Sequence, residues 1–465
     1  MRIAVVGGGI SGLAAAWRLA ERARGAEITV YEAARSVGGK LRVDTVAGLS
    51  VDVGAEAMLA RRPEAVQLAT AAGLGAELIT PSTTAAVIRA GGANHPLPAR
   101  TMLGIPSDVE AARVSGALSE AALARIAAEP SAAPLPPLAD DVAVGVLVRD
   151  RLGNEVADRL VEPLLGGVYA GRADQLSLRA TMPALSAALA TGGSLVEAAR
   201  SVTDVGTRTP SDEPMFVSLS GGVGRLPPAL AASGRFAVRT STTVRSLERT
   251  SDGFRLTYGA VPVAETVEVD AVVVATPAAK SALLLRGVAP AAAAELAGIE
   301  SASMAIVTLA LGDVELPTGS GLLVAAHEGF GVKAVTLSSQ KWPMRTEGRT
   351  VLRASLGRAG ENQILQRADD ELVELVRHEL RSLIGVSDEP IDSLVTRWGG
   401  GLPQYAVGHV DRIARVRASV DAVPGLAVCG AAFDGVGIPA CIESGYAAAD
   451  RLVASLVREG EYGRE

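Results

Sequence analysis

The segment ending at Glu32 restricts the fold more than any other part of the chain. Ile3-Ala4-Val5-Val6 is a short apolar run of the kind buried in a parallel sheet, and it leads directly into Gly7-Gly8-Gly9-Ile10-Ser11-Gly12. Residues 13–20 continue as a helix, and Glu27-Ile28-Thr29-Val30-Tyr31-Glu32 reads as a second strand ending in an acid. Strand, Gly-rich turn, helix and strand in that order make a dinucleotide-binding unit. Gly7 permits the tight turn, Gly9 lets backbone approach a pyrophosphate, and Gly12 lets helix and strand pack closely. Ile10 and Ser11 then stand in the first helical turn, where unpaired N–H groups attract phosphate. Glu32 lies 20 residues beyond Gly12, the spacing at which an acid accepts ribose hydroxyls.

Composition removes several function classes. The 465 residues are 48% hydrophobic and 20% charged, enough apolar material for a large core. Lys and Arg number 44 against 51 Asp and Glu, a net charge of −7, and no basic run offsets it. Such a balance gains little from phosphate neutralisation and argues against nucleic acid. Cys429 and Cys441 cannot supply a disulfide framework or a structural zinc site, and the four histidines lack metal-ligand spacing, so no metal is expected. The apolar run at 271–279 is too short to span a bilayer and contains Pro277. With the first strand starting at the N-terminus and no signal peptide, the chain reads as soluble and cytoplasmic. An amphipathic face could still give it peripheral membrane contact.

Whether the dinucleotide is NAD or FAD is decided further along. Gly38-Gly39-Lys40-Leu41-Arg42 follows soon after the ribose acid, and Val51-Asp52-Val53-Gly54-Ala55-Glu56 follows that. A second glycine pair at this place brings another stretch of backbone onto a flavin, where simple NAD dehydrogenases continue with a helix. Gly425-Leu426-Ala427-Val428-Cys429-Gly430 is a further buried strand, leading through Ala431 and Gly435-Val436-Gly437-Ile438-Pro439 into a helix over 440–454. Pro439 suits the first turn of that helix, and N–H groups there can stabilise negative charge on a reduced flavin. The two ends of the chain therefore belong to one domain, and the middle is inserted.

Within that middle, 81–100 reads as a hairpin turning at Gly91-Gly92, and 107–189 is helical apart from a Pro/Ala-rich linker at 130–138. Helices are expected over 140–154 and 155–165, the second closed by Gly166-Gly167-Val168-Tyr169-Ala170-Gly171. Strands over 304–311, 321–326, 333–338 and 350–356 suggest a second sheet, with a helix over 369–384 and a strand over 391–398.

Five segments carry a resemblance that covers nearly the whole chain: Gly166-Gly167-Val168-Tyr169-Ala170-Gly171 with Leu176-Ser177-Leu178-Arg179; Ser220-Gly221-Gly222 with Arg225-Leu226-Pro227; Ser338-Ser339-Gln340-Lys341-Trp342-Pro343; Pro403-Gln404-Tyr405 with Gly408-His409; and Gly435-Val436-Gly437-Ile438-Pro439. The sequence resembles the FAD-dependent porphyrinogen oxidases of haem biosynthesis, a branch of the flavin amine-oxidase superfamily. It is most similar to their Gram-positive bacterial, coproporphyrinogen III type. The resemblance implies an α/β fold: a discontinuous Rossmann-like FAD-binding domain (1–80, 215–295 and 395–465), an α+β substrate domain with an antiparallel sheet (81–100 and 296–394), and an inserted helical domain (101–214). It assigns the FAD contacts to Gly7, Gly8, Gly9, Ile10, Ser11, Gly12, Glu32, Ala33, Gly39, Lys40, Leu41, Gly54, Ala55, Glu56, Ala57, Val244, Trp398, Ala431, Val436, Gly437 and Ile438.

Mitochondrial protoporphyrinogen-type enzymes carry an Arg just before the hairpin glycines that binds a propionate. Here that stretch is Thr84-Ala85-Ala86-Val87-Ile88, and the cation is missing. Coproporphyrinogen III has four propionates, so a cationic rim is expected, with Arg61, Arg62, Arg172, Arg179 and Lys341 as candidates. The carbonyl of Gly167 is the candidate acceptor for the macrocycle's N–H groups, while Tyr169 and His409 read as packed, structural residues. The implied reaction is a six-electron oxidation in three flavin cycles, with O2 as acceptor and H2O2 as product, and a ferrochelatase as transient partner. Protoporphyrinogen IX oxidation is the nearest alternative. An amine or carotenoid-precursor oxidase is disfavoured by Val436-Gly437-Ile438, and a non-catalytic flavin-holding role by the intact substrate segments.

Overall fold

The computed structural model describes residues 1–207, 214–343, 346 and 348–462. Strand β1 (Arg2–Val6) pairs in parallel with β2 (Glu27–Tyr31) on one side and with Ala271–Val274 on the other. Ala237–Arg239 extends the sheet beyond β2, and Leu426–Val428 closes its far edge, both parallel. One five-stranded sheet thus unites the start, middle and end of the chain. The alternation along β1 divides its burial: Ile3 and Val5 face the core under helix α1 (Ile10–Arg22) and the C-terminal helix Ile438–Tyr462. Ala4 and Val6 face a second core under the antiparallel strands Val244–Arg249, Phe254–Tyr258 and Glu265–Val269. Buried on both faces, the sheet needs the continuous apolar runs its strands carry.

The second sheet has seven strands, in the order Asp392–Pro403, Ser301–Leu311, Thr350–Leu356, Val332–Thr336, Gly321–Val324, Ala86–Ala90 and Ala93–Pro96. All neighbours are antiparallel except Gly321–Val324 and Ala86–Ala90. Helix Asp369–Ile384 covers one face with Leu372, Val376, Leu380 and Leu383, the spacing of an amphipathic stripe. The strand expected to end at Trp398 continues to Pro403, so the domain boundary placed at 395 falls inside a strand of this sheet. The expected hairpin at 81–100 forms, turning at Gly91 and Gly92 with φ +61° and +79°.

Helices between Val109 and Thr207 enclose a separate core that includes Leu123, Ile126, Leu147, Leu160 and Leu165. Here one expectation is corrected. Gly166 and Gly167 do not form a closing loop; they lie within helix Glu162–Tyr169, which ends where Ala170 turns left-handed at φ +49°. Two glycines cost a helix about 2 kcal/mol in propensity, an amount that packing of Leu165 and Tyr169 in the core readily offsets. Among the described residues no helix is long and apolar enough to cross a membrane.

Candidate functional site

The N-terminal glycines occupy distinct environments. A Cβ on Gly12 would stand 2.0 Å from the Gly7 carbonyl oxygen, so side-chain-free packing is obligatory there. Gly7 adopts φ +112° and would press a Cβ against the Ala275 carbonyl at 2.7 Å. Gly9 differs: nothing lies within 4 Å of its would-be Cβ, and the space is open for a ligand to meet backbone. Gly9 is also the N-cap of α1, whose first turn has no capping side chain and no acidic residue. Ile10, Ser11 and Gly12 therefore present helix N-terminal N–H groups to that space, an arrangement suited to phosphate.

Glu32 is held at the tip of β2 by the N–H groups of Gly8 and Ala34, each at 2.7 Å. Backbone bonds from Thr242 to Glu32 and from Ser241 to Ala34 bring the strand that starts at Val244 beside this acid. Ala33 is exposed next to it. The second glycine pair joins the same place: the Gly38 N–H donates to the Gly8 carbonyl at 2.8 Å, and a Cβ on Gly39 would touch Gly9 Cα at 3.5 Å. Lys40 and Leu41 follow. Burial lowers the Lys40 ammonium below the ordinary lysine value, opposed by Cys441 in the first turns of the C-terminal helix. That helix crosses α1 at Gly445, where a Cβ would stand 2.3 Å from the Ser11 carbonyl. Sequence reasoning passed over Gly445 because nothing local distinguishes one small residue in a helix.

The loop after Asp52 is pinned between the two sheets. Gly54 lies against the Lys40 carbonyl and Trp398, the Ala55 N–H donates to the Lys40 carbonyl at 3.1 Å, and Ala57 follows Glu56 on the same loop. Trp398 donates its indole N–H to the Val53 carbonyl at 3.0 Å and carries Arg42 above its ring. Glu56 accepts from Lys341 Nζ at 2.5 Å and from Arg353 Nη1. Burial works to raise the Glu56 carboxyl, but the two cations override it and hold it at about 2. Asp52 behaves oppositely: burial lifts it to about 6 although Val223 and Gly224 each donate an N–H at 2.9 Å. Those bonds dock the Ser220-Gly221-Gly222 segment.

On the other side, Tyr169, Tyr405 and His409 form an aromatic cluster: Tyr405 stacks on His409 at a centroid distance of 4.0 Å, and Tyr169 meets Tyr405 at 5.6 Å with its ring tilted. Tyr405 donates its hydroxyl to the Ala431 carbonyl at 2.6 Å, and His409 Nε2 meets the Ala432 carbonyl at 3.0 Å. Gln404 Nε2 donates to the Tyr169 carbonyl at 2.8 Å. The cluster ties the Gly166–Gly171 segment to the backbone that runs through Val436 and Gly437 into Ile438. Burial pushes the Tyr169 hydroxyl up to about 12 and depresses His409 to about 4, so both are neutral near pH 7. Gly167 is exposed in the last helical turn, where carbonyls lack intrahelical partners.

The cationic candidates do not converge on one rim. Lys341 is spent on Glu56, Arg172 pairs with Glu361 and Glu162, and Arg62 with Glu64 and Glu443. Arg179 turns to the Ala139 carbonyl and Asp411, while Arg61 stays exposed. Two further buried cations, Lys333 and Arg358, are marked by no motif and were not legible in the sequence.

The open space at Gly9, the uncapped helix and the anchored Glu32 fit a dinucleotide, and the Gly38-Gly39 and 431–438 segments extend that surface past the nucleotide. Comparisons agree. The family described as flavin containing amine oxidoreductase matches residues 10–453. A coproporphyrinogen III oxidase of Mycobacterium bovis is 40% identical over 459 residues, covering 97% of this chain and 96% of its own. One from Bacillus subtilis is 32% identical and covers 96% of each. A crystal structure of a provisionally named protoporphyrinogen oxidase from Exiguobacterium sp. 255-15 superposes with a TM-score of 0.85 at 32% identity, covering 97% of this chain and 98% of that one. A putrescine oxidase, at 17% identity and a TM-score of 0.69, shares the fold.

Proposed function

The chain belongs to the flavin containing amine oxidoreductases and is an FAD-dependent oxidoreductase, and from that premise we propose that it oxidises coproporphyrinogen III to coproporphyrin III. The full-length likeness to the coproporphyrinogen III oxidases carries this reading. Six electrons and six protons leave the porphyrinogen, and three O2 take them up as three H2O2. Bound FAD supplies two-electron redox chemistry, so one macrocycle requires three turnovers.

The chain's own residues bind and orient. Gly7 to Gly12, Glu32 and Ala33 would hold the nucleotide, with Val244 on the adenine side. Gly39 to Leu41, Gly54 to Ala57, Trp398, Ala431 and Val436 to Ile438 would hold the flavin. The Gly167 carbonyl accepts a pyrrole N–H, made approachable by the missing side chain. Tyr169, buried and keeping its hydroxyl proton, packs the floor through Tyr405 and excludes water. His409 is neutral and engaged with the Ala432 carbonyl, which makes it a support for that backbone. Arg172, Arg179 and Lys341 remain candidates for the carboxylates only by exchanging a present partner. The reaction takes place in the cytoplasm, and product passes to a ferrochelatase by transient contact.

Protein reconstituted with FAD and given coproporphyrinogen III under air should form fluorescent coproporphyrin III with three H2O2 per macrocycle. A flavin-loaded protein that yields no porphyrin would overturn the proposal.

A further inference from the structure

Lys333 lies on strand Val332–Thr336 and is 4% exposed. Its Nζ has no hydrogen-bond partner among the described residues. An ammonium buried without a partner costs several kcal/mol unless something anionic reaches it. Its strongest electrostatic neighbour is another cation, Arg358, itself 5% exposed, followed by Glu361. Burial first, and Arg358 second, depress the Lys333 ammonium to about 7.

The carboxylates nearest Lys333 and Arg358 already have partners. Arg358 Nη1 is 3.6 Å from Glu361 Oε2, and its Nη2 donates to the Val324 carbonyl at 3.2 Å. Glu361 is shared, because its other oxygen accepts from Arg172 Nη2. Arg172 in turn lies 3.6 Å from Glu162, whose Oε2 is already taken by the Ala173 N–H at 2.6 Å. Glu361 and Glu162 are thus engaged by Arg358, Arg172 and the Ala173 N–H, and Lys333 Nζ hydrogen-bonds to neither. Glu162 and Arg172 border a cavity of about 420 Å³. The segment is fixed beside the end of helix Glu162–Tyr169, since the Ala359 N–H donates to the Ala170 carbonyl at 2.7 Å. The unmatched cation thus stands next to the segment assigned to the macrocycle.

We propose that Lys333 and Arg358 form a carboxylate subsite that takes one propionate of the porphyrinogen, with Arg172 and Glu361 as its outer edge. This deepens, and rests on, the coproporphyrinogen reading. A propionate supplies an anionic partner and accepts from Lys333 Nζ.

The test is binding of coproporphyrin III, and of its uncharged tetramethyl ester, to FAD-loaded wild type, Lys333→Met and Lys333→Gln, followed by flavin fluorescence. Loss of a charge-assisted hydrogen bond should weaken the free acid about ten- to a hundredfold in both variants and leave the ester within about twofold. KM for coproporphyrinogen III should rise with it while kcat holds. Both variants remove an unpaired buried charge, so the flavin spectrum should persist and Tm should not fall. Equal affinities of wild type and variants for the free acid, or equal weakening of acid and ester, would overturn the subsite. So would a wild-type Tm raised by sodium propionate through Lys333 while the macrocycle binds the variants unchanged, since the site would then serve free anions. A wild type that binds the acid through Lys333 yet oxidises no coproporphyrinogen III would sink the proposed function and leave the subsite standing.

Discussion

Lys341 Nζ and Glu56 Oε1 meet at 2.5 Å across 285 positions of chain. The pair joins a residue read as a substrate ligand to one read as a cofactor contact, and Arg353 completes it from strand Thr350–Leu356. Through Arg353 the loop after Asp52 is fastened onto the seven-stranded sheet. Glu56→Gln leaves two buried cations short of a carboxylate and should cost about 3–5 kcal/mol in urea unfolding. Lys341→Met should cost less, because Arg353 still pairs Glu56.

The same carboxylate sets a pH dependence. Its folded value, about 2, lies below the unfolded 4.5, so its stabilisation is complete above pH 4.5 and disappears as pH falls toward 2. Acid unfolding of Glu56→Gln should lack that part of the wild-type slope. Parallel curves for the two proteins through the window would refute this origin.

Gly9 and Gly12 separate binding from folding. Gly12→Ala drives a methyl into the Gly7 carbonyl and should destabilise the apoprotein by about 1–3 kcal/mol. Gly9→Ala meets no protein atom and adopts an ordinary φ of −70°, so the apoprotein Tm should hold while FAD affinity drops. Calorimetry of the apoproteins and flavin titration distinguish the two.

Much of this was legible in the sequence because its signals are local. The turn at Gly7–Gly12, the strand ending at Glu32 and the hairpin at Gly91-Gly92 each depend on a few consecutive residues. The glycines at 166 and 167 misled because propensity favours a loop, whereas packing of Leu165 and Tyr169 keeps them helical. Lys341, Arg172 and Arg179 were legible as cations but not as ion-pair members, since Glu56, Glu361 and Asp411 approach them only through tertiary structure. Lys333 carried no motif at all; its burial alone marks it.

His409 should not titrate in catalysis. Burial lowers it to about 4 against 6.5 unfolded, so its neutral form stabilises the fold fully above pH 6.5, and that contribution is lost as pH falls toward 4. The pH profile of kcat should show no inflection near 6.5 from this residue. His409→Phe should keep the profile while losing the bond to Ala432, at a stability cost of about 1–3 kcal/mol.

Substrate identity is tested most directly by kcat/KM for coproporphyrinogen III and protoporphyrinogen IX, measured side by side on the FAD-loaded protein under air. Coproporphyrinogen III should be preferred by about tenfold or more, the scale of one charge-assisted hydrogen bond. Equal values, or a preference for protoporphyrinogen IX, would contradict the assignment.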